Sequence, residues 1–247
     1  MLSSEIEFIN YTDTFREYGD KVLLKIHHSL RVENLCRDIA EKTGLSSSSI
    51  DLSGKCGLLH DIGRFEQWRK YGTYNDSKST DHGDLGASIL KNNSLISKFT
   101  AEDQETIINT AKYHNKYSVP FDLNERNGLF VHMTRDADKL DIFYLSSLNE
   151  LHVNTHDSKI SEKVYDLIMN HQNISRDDIN TKADALAMRL SFVFGLKFNR
   201  SFEIMKENDY LNSVIDNQTK SGSPELSAQL ESLRTALNAF INKKSCS

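Results

Sequence analysis

Several histidines and aspartates of this sequence stand where a helix would present an apolar face. The chain has nine histidines, and His28 shares a helical stripe with Leu24 and Val32, so we expect its side chain to face the core. His60 and Asp61 follow directly on an apolar run. Burying a carboxylate is costly unless a cation or strong hydrogen-bond donors compensate for it, so these positions indicate chemistry beyond packing.

Further imidazole and carboxylate groups fall on the apolar stripes of other predicted helices. His82 opens one such helix, and His114 lies near the end of another. In a later helix Asp136 and Asp138 both have apolar neighbours, and periodicity does not choose between them. One shared cation is the most economical explanation for such groups on separate helices. Imidazole and carboxylate together suit Fe, Mn, Ni or Zn, and the sequence has no thiolate set for a structural zinc site.

The elements that must position these groups are predicted to be long helices. The chain has only 11 Gly and 2 Pro, about 5% of its residues against about 12% in average proteins, so few turns are obligatory. Apolar residues recur at helical spacing, and no segment alternates convincingly with the period of a strand. We therefore predict an all-α fold in a single domain over residues 1–247, with a motif core at about 20–150 and a helical C-terminal extension at about 160–247.

Turn and cap signals locate the helices more closely. Gly44 is expected to end the second helix, and Ser48 with Asp51 forms a capping-box pattern that would begin the third. Residues 72–80 are a polar loop without periodicity. The predicted helices cover about residues 4–19, 21–43, 52–59, 81–91, 101–116, 124–151, 161–172, 178–197, 200–217 and 224–242.

Charge and hydropathy exclude several classes of partner. The formal charge is −5 with a pI near 6.0, so a nucleic-acid polymer is not expected as a partner. Mean hydropathy is −0.51, and no apolar run approaches the roughly 18 residues that a membrane span needs. The N-terminus does not resemble a signal peptide, and the three cysteines are widely spaced, so we expect a cytoplasmic protein. The amphipathic last helix is suited to homodimer formation.

Three short segments together carry a family resemblance. HSLRVENLC surrounds His28, GLLHDIGRF contains His60 and Asp61, and RDADKLD contains Asp138. In this order they resemble the H…HD…D pattern of the HD-domain superfamily of metal-dependent phosphohydrolases, over roughly residues 20–150. The resemblance implies that these four residues ligate one metal ion inside an all-α helical bundle, and its A-D-x-L-D pattern selects Asp138. Asp141 would then lie behind the ligands or in solvent.

Two further histidines resemble those of HD proteins that hold two metal ions. They are His82, in DHGDLGASIL, and His114, in AKYHNKY. The resemblance implies that Asp61 bridges two divalent ions and that both histidines complete the second site. The alternative is that they are nearby polar residues or phosphate binders. One or two ions are therefore expected, and these ligand types do not distinguish Fe, Mn, Mg, Ni and Zn.

The resemblance implies hydrolysis of a phosphoester or phosphoanhydride in a small, nucleotide-like phosphorylated substrate. A metal-activated water would attack phosphorus, with Asp61 at the centre of the catalytic group. Arg31 and Arg64 each follow a ligand by three residues and are expected to clamp a phosphate, the alternative being a salt bridge to a surface acid. Tyr74 and Lys78, in the polar loop, are further candidates for substrate contact.

Two other functions share parts of this pattern. HD-fold di-iron oxygenases use four histidines and two aspartates in the same order and act on small polyols or phosphonates. A noncatalytic nucleotide-binding regulator is the third hypothesis, although degenerate domains often lose a ligand residue and all six are present here. Signatures of other enzyme classes are absent, since the sequence has no G-x-x-x-x-G-K-S/T, H-E-x-x-H or G-x-S-x-G.

Overall fold

The computed structural model of this chain describes residues 3–151, 155, 159–172, 174–220 and 222–245. Every regular element in these residues is a helix, and no strand occurs among them, which confirms the all-α prediction. The chain divides into two compact units, one up to Asp138 and one from Lys139 onward. The prediction of a single domain stays a prediction.

The helices are numbered here in chain order. The first unit holds α1 (Ser3–Asp13), α2 (Asp20–Lys42), α3 (Ser47–Leu59), α4 (Gly63–Tyr71), α5 (His82–Asn92), α6 (Ala101–Tyr113) and most of α7 (Glu125–Ser147). The second unit holds the end of α7, α8 (Glu162–Met169), α9 (Lys182–Leu190), α10 (Asn199–Glu207), α11 (Tyr210–Thr219) and α12 (Pro224–Ser245). Short 3-10 helices occur at Arg16–Tyr18, Asp76–Lys78, Ser94–Ile96, Arg176–Asp178 and Ser191–Gly195.

Two glycines allow the helices around the predicted ligands to pack unusually close. A Cβ atom at Gly57 in α3 would lie 2.8 Å from the carbonyl oxygen of Val32 in α2. At Gly63, the first residue of α4, it would lie 2.2 Å from the carbonyl oxygen of His82 in α5. Both distances are too short for any side chain, so tight helix crossing explains why these positions are glycine.

The core of the first unit lies directly beneath the predicted ligand residues. Apolar side chains of α1 to α7 form one buried cluster there, and its largest members include Phe8, Leu58, Ile62, Phe65 and Ile107. Ile62 and Phe65 follow His60 and Asp61 closely in the chain and are fully buried. The turn that carries these two polar residues is therefore anchored to the core.

The cap signals located some helix ends correctly and others not. Gly44 adopts φ +80° just past the end of α2, as predicted for a C-terminal glycine. The predicted start of the third helix was wrong, since Ser46 rather than Ser48 is the N-cap of α3 and accepts from the backbone N–H of Ser49. The serine run offers several equivalent caps, and sequence alone does not rank them.

Several predicted helices are shorter in the structure. The first predicted helix ends at Asp13 instead of reaching residue 19. Asn149, His171 and Asp209 have positive φ angles of 62°, 55° and 49°, a conformation in which a helix does not continue. They follow the ends of α7 and α8 and separate α10 from α11. The bounds of the predicted helix 178–197 were also wrong, because α9 begins only at Lys182 and gives way to a 3-10 helix at Ser191–Gly195.

The second unit has an apolar core of its own. A leucine-rich stripe of α12 is buried there, formed by Leu226, Leu230, Leu233, Leu237 and Ile241. Because these side chains are covered within the unit, the stripe offers no free apolar face, and the homodimer stays a prediction. In the described part of the chain, no helix combines the length and apolar character needed to cross a membrane.

Candidate metal centre

The six predicted ligand residues lie in the first unit and come from five different helices or their ends. His28 lies within α2 and Asp138 within α7, whereas the other four lie at helix termini: His60 and Asp61 after α3, His82 at the start of α5, and His114 after α6. The four histidines and Asp61 are each at most 5% exposed. The side chain of Asp138 is 25% exposed, more than that of any other residue in this set.

A first cluster forms around His28 and His60. Their Nε2 atoms lie 3.2 Å apart. Asp138 Oδ1 lies 3.3 Å from Nε2 of His28 and 3.8 Å from Nε2 of His60. Asp61 Oδ2 lies 3.5 Å and 3.7 Å from the same two nitrogens. Four ligand atoms therefore face one small space.

A second cluster forms on the other oxygen of Asp61. The Nε2 atoms of His82 and His114 are 3.0 Å apart. Asp61 Oδ1 lies 3.4 Å from His82 and 3.5 Å from His114. Asp61 thus presents one carboxylate oxygen to each cluster, which is the arrangement that a bridging ligand requires.

The hydrogen bonds of the imidazoles test whether these groups fit a metal ion. Nδ1 of His60 lies 2.6 Å from the carbonyl oxygen of Gly57, and Nδ1 of His114 lies 2.8 Å from that of Ala111. Since a carbonyl only accepts hydrogen bonds, we assign the proton of each ring to Nδ1. Nε2 is then unprotonated, and its lone pair is available to bind a metal ion. Burial also lowers the pKa of His60 to about 3, so this ring is neutral at neutral pH.

Neutral imidazoles in this tautomer fit a metal ion. Facing lone pairs at about 3 Å repel each other unless a cation lies between them or beside them. Nitrogen and carboxylate ligands whose outer N–H groups are held by acceptors are typical of protein metal sites. Groups of His28, His60 and Asp138, and of His60, Asp61 and His114, bring their ligand atoms within 4.8 Å of one another. These residues therefore fit one or two divalent ions.

Two cationic side chains lie against Asp61. Lys25 Nζ is 2.6 Å from Oδ2, and Arg64 Nε is 3.5 Å from Oδ1. Burial by itself raises the pKa of Asp61, but the Lys25 ammonium outweighs it and holds that pKa well below its ordinary value. For Asp138, burial also opposes ionisation, and the hydrogen bond with His28 nevertheless keeps the pKa low. Both ligands are thus carboxylates at neutral pH.

The loop of residues 72–80, here named the strap, approaches the second cluster. Its Asp76 accepts from Nδ1 of His82 at 2.8 Å. Arg64 donates through Nη1 to the backbone oxygen of Tyr74 at 2.6 Å and to Asp76 at 3.1 Å. The Tyr74 hydroxyl donates to the backbone oxygen of Lys21 in α2. The strap therefore joins α2, α4 and α5 beside the centre.

The predicted substrate-binding residues lie in different surroundings. Arg64 lies beside the predicted ligand Asp61, as expected for a phosphate-binding residue. It also makes a salt bridge to Asp76 in the strap, which is the kind of contact that was the alternative expectation. Tyr74 lies against Trp68 with ring centroids 4.8 Å apart. Lys78 is exposed and Arg31 is half-buried, and their contacts with substrate stay predictions.

Sequence reasoning missed four residues that support the centre: Lys25, Gln67, Asp76 and Arg135. Lys25 precedes His28 by three residues and so shares its helix face, a signal that the sequence contained. Arg135 donates through Nη1 to the backbone oxygens of Tyr113 at 3.1 Å and His114 at 2.9 Å, which holds the end of α6. Neither this contact nor the one from Asp76 follows from local spacing.

The geometry agrees with the comparison to known families. Residues 26–142 match the model of the HD domain, and this segment includes all six residues of the centre. Residues 26–142 therefore form an HD domain, and this match supports membership of the HD-domain superfamily, a superfamily of metal-dependent hydrolases. HD domains bind divalent metal ions, and the histidine and aspartate clusters of this chain are able to hold one. Neither a curated protein nor a solved structure matched the chain.

Proposed function

We propose that this protein is a metal-dependent phosphohydrolase that cleaves a phosphoester or phosphoanhydride bond in a small, nucleotide-like substrate. The observation that carries the proposal is the environment of Asp61. One carboxylate oxygen faces each histidine cluster, and Lys25 and Arg64 lie against the same carboxylate. A centre of this kind, flanked by cations, is suited to a phosphoryl group that carries several negative oxygens.

Each protein group has a distinct part in this proposal. Divalent ions held by the six ligands would polarise the phosphoryl group and make a bound water more acidic. Asp61 and Asp138 remain ionised because their pKa values are low. Lys25 and Arg64 bind phosphate oxygens and offset the charge that grows on them.

Arg64 supports an anionic substrate in a further way. Among the described residues, its buried Nε makes no hydrogen bond, although Nη1 has three partners. A buried donor without a hydrogen bond costs free energy, and the ion pair of this Nε with Asp61 Oδ1 at 3.5 Å offsets only part of that cost. A phosphate oxygen near Asp61 would supply the acceptor, and the guanidinium is already fixed in orientation by the strap.

The experiment is release of inorganic phosphate by the purified protein, with Mn²⁺, Fe²⁺, Mg²⁺, Ni²⁺ or Zn²⁺ added. The substrates are nucleoside mono-, di- and triphosphates and a phosphodiester. We expect turnover with at least one ion, and we expect Asp61→Ala to abolish it because each cluster loses an oxygen ligand. The matched control is Asp84→Asn, at an exposed carboxylate that pairs with Lys116. Full turnover by Asp61→Ala would contradict the proposal.

The same assay separates the other two functions. Hydrolysis continues without oxygen, whereas a di-iron oxygenase would consume oxygen and release no phosphate under anaerobic conditions. A noncatalytic regulator would bind a nucleotide tightly and leave it intact with every metal ion. Either result would contradict the proposed phosphohydrolase activity and favour the corresponding alternative function.

A further inference from the structure

The three histidines with a described Nδ1 partner are held in two different ways. His60 and His114 directly follow the last residue of a helix, and each Nδ1 meets the carbonyl oxygen three residues earlier, at Gly57 and Ala111. These bonds form within the helix end itself. They require no other part of the fold.

His82 lacks such a local acceptor. It is the first residue of α5, so no preceding helical turn offers it a carbonyl oxygen. Both carboxylate oxygens of Asp76 face its Nδ1 instead, at 3.0 Å and 2.8 Å. Asn115 Nδ2 also lies 3.3 Å from Nδ1, but an amide N–H only donates, so the acceptors described for the Nδ1 proton of this ring belong to the strap.

The strap is in turn held by a buried amide. Gln67 in α4 is fully buried, and its Nε2 lies 2.9 Å from each of three strap acceptors: Asp76 Oδ1, Ser79 Oγ and the Thr80 backbone oxygen. Arg64 Nη1 lies 3.1 Å from the same Asp76 oxygen. Two donors from α4 thus fix the carboxylate that faces His82.

We propose that Asp76 is a positioning residue that decides whether this protein holds one metal ion or two. Asp76 accepts a hydrogen bond from Nδ1 of His82 and so keeps the proton of the ring on that nitrogen. Nε2, which faces His114 and Asp61, then remains unprotonated and able to bind a metal ion. Carboxylates that hold a ligating imidazole in this way strengthen metal binding. The described hydrogen bonds and ion pairs of Asp76 are to His82, Arg64 and Gln67, which lie outside the first cluster, so the ion there should be unaffected. This inference rests on the metal centre of the proposed function.

The experiment counts bound Co²⁺ or Mn²⁺ per chain by equilibrium dialysis, in the wild-type protein, Asp76→Asn and Asp76→Ala. We expect two ions in the wild type. In the variants we expect the weaker ion to lose about 10- to 100-fold in affinity while the tighter ion keeps its affinity. The visible spectrum of Co²⁺ gives an independent readout, since the contribution of one site should disappear.

Matched variants separate positioning from general damage. Asp84→Asn changes an exposed carboxylate two residues after His82 and should keep both ions. His82→Ala should bind one ion, and adding Asp76→Ala to it should change nothing further. Asp76→Asn is nearly isosteric, and circular dichroism of the metal-free variants verifies that each is folded.

The outcomes distinguish this inference from the proposed function. A wild-type protein that binds no divalent ion contradicts both. If Asp76→Asn and Asp76→Ala bind two ions at wild-type affinity, the proposed role of Asp76 is wrong. The proposed phosphohydrolase activity is unaffected by that result. Equal loss of both ions in these variants also overturns the role of Asp76, because the effect would not be confined to the second cluster.

Discussion

Lys25 Nζ lies 2.6 Å from Asp61 Oδ2. In the proposed function, Lys25 therefore contacts both a metal ligand and the phosphate of the substrate. The Lys25 side chain is 16% exposed, so part of it reaches solvent while its ammonium lies against the carboxylate that both clusters share. It also lies 5.8 Å from the centre of the Tyr74 ring. Lys25 is thus the cation best placed to meet an incoming phosphate.

Replacing Lys25 tests this role. We expect Lys25→Met to weaken inhibition by inorganic phosphate about tenfold or more, because a hydrogen bond to a charged group contributes about 1.5–3 kcal/mol. Lys25→Arg should keep most of the binding. Lys21→Met is the matched control, since the described contact of Lys21 with the strap is made by its backbone oxygen, which the substitution keeps. Unchanged phosphate inhibition in Lys25→Met would remove this residue from the substrate site.

The buried His60 predicts how stability depends on pH. Burial lowers its pKa from 6.5 to about 3 in the folded protein, so the unfolded chain takes up the proton first as the pH falls. The free energy of unfolding of the metal-free protein should therefore decrease from about pH 6.5 towards pH 3, by about 1.4 kcal/mol per pH unit for this one proton. Asp61 and Asp138 act in the same direction below their ordinary pKa of 3.8.

Urea unfolding in the presence of a chelator, at pH 7, 6 and 5, measures this dependence. His60→Gln removes this group and should make the dependence on pH shallower, while the part due to His82, whose pKa burial also lowers, remains. His27→Gln, at the exposed neighbour of His28, should leave it unchanged. Equal slopes in all three proteins would show that His60 does not titrate in this way.

At the scale of single residues, the sequence singled out the candidate ligands but not the residues that support them. His28, His60 and Asp61 stood out because polar groups interrupt apolar helical faces, and the family pattern chose Asp138 over Asp136. Asp76 had no such signal, since its contact with His82 depends on the path of a nonperiodic loop. Tertiary structure alone brings these two side chains together.

At the scale of elements, the crossing of α4 and α5 positions His82 near Asp61. The crossing is as close as it is because Gly63 has no side chain. Few turn residues and a helical apolar period were sufficient to predict most helices. The breaks after α7 and α8 and before α11 occur where Asn149, His171 and Asp209 adopt positive φ angles. Asn, His and Asp adopt this conformation more readily than other non-glycine residues, but they also occur within helices, so residue type alone did not locate the breaks.

Gly63→Ala tests the importance of this crossing. The added Cβ would overlap the backbone oxygen of His82 at 2.2 Å, so we expect α5 to shift and stability to fall by about 1–3 kcal/mol. Binding of the second ion should weaken as well. Gly128→Ala is the control, because a Cβ there meets nothing within 4 Å and alanine favours the helix. Thermal melting and metal titration of both variants give the comparison, and equal behaviour would contradict the account.

At the scale of the molecule, all six residues of the centre belong to the first unit. The family match over residues 26–142 covers most of that unit, whereas the second unit has its own core around α12. The sequence predicted this distribution, with its motifs in the first 150 residues and only helical periodicity beyond them. The residues that carry chemistry are thus concentrated in one unit.

The central claim is that this unit holds a dinuclear metal centre bridged by Asp61. Its most direct test is the metal content, by elemental analysis and equilibrium dialysis, of the wild-type protein and Asp61→Ala. The account predicts two divalent ions per chain in the wild type and at most one, weakly held, in the variant. A wild-type protein that binds no divalent ion, or an Asp61→Ala variant that retains both at wild-type affinity, would contradict it.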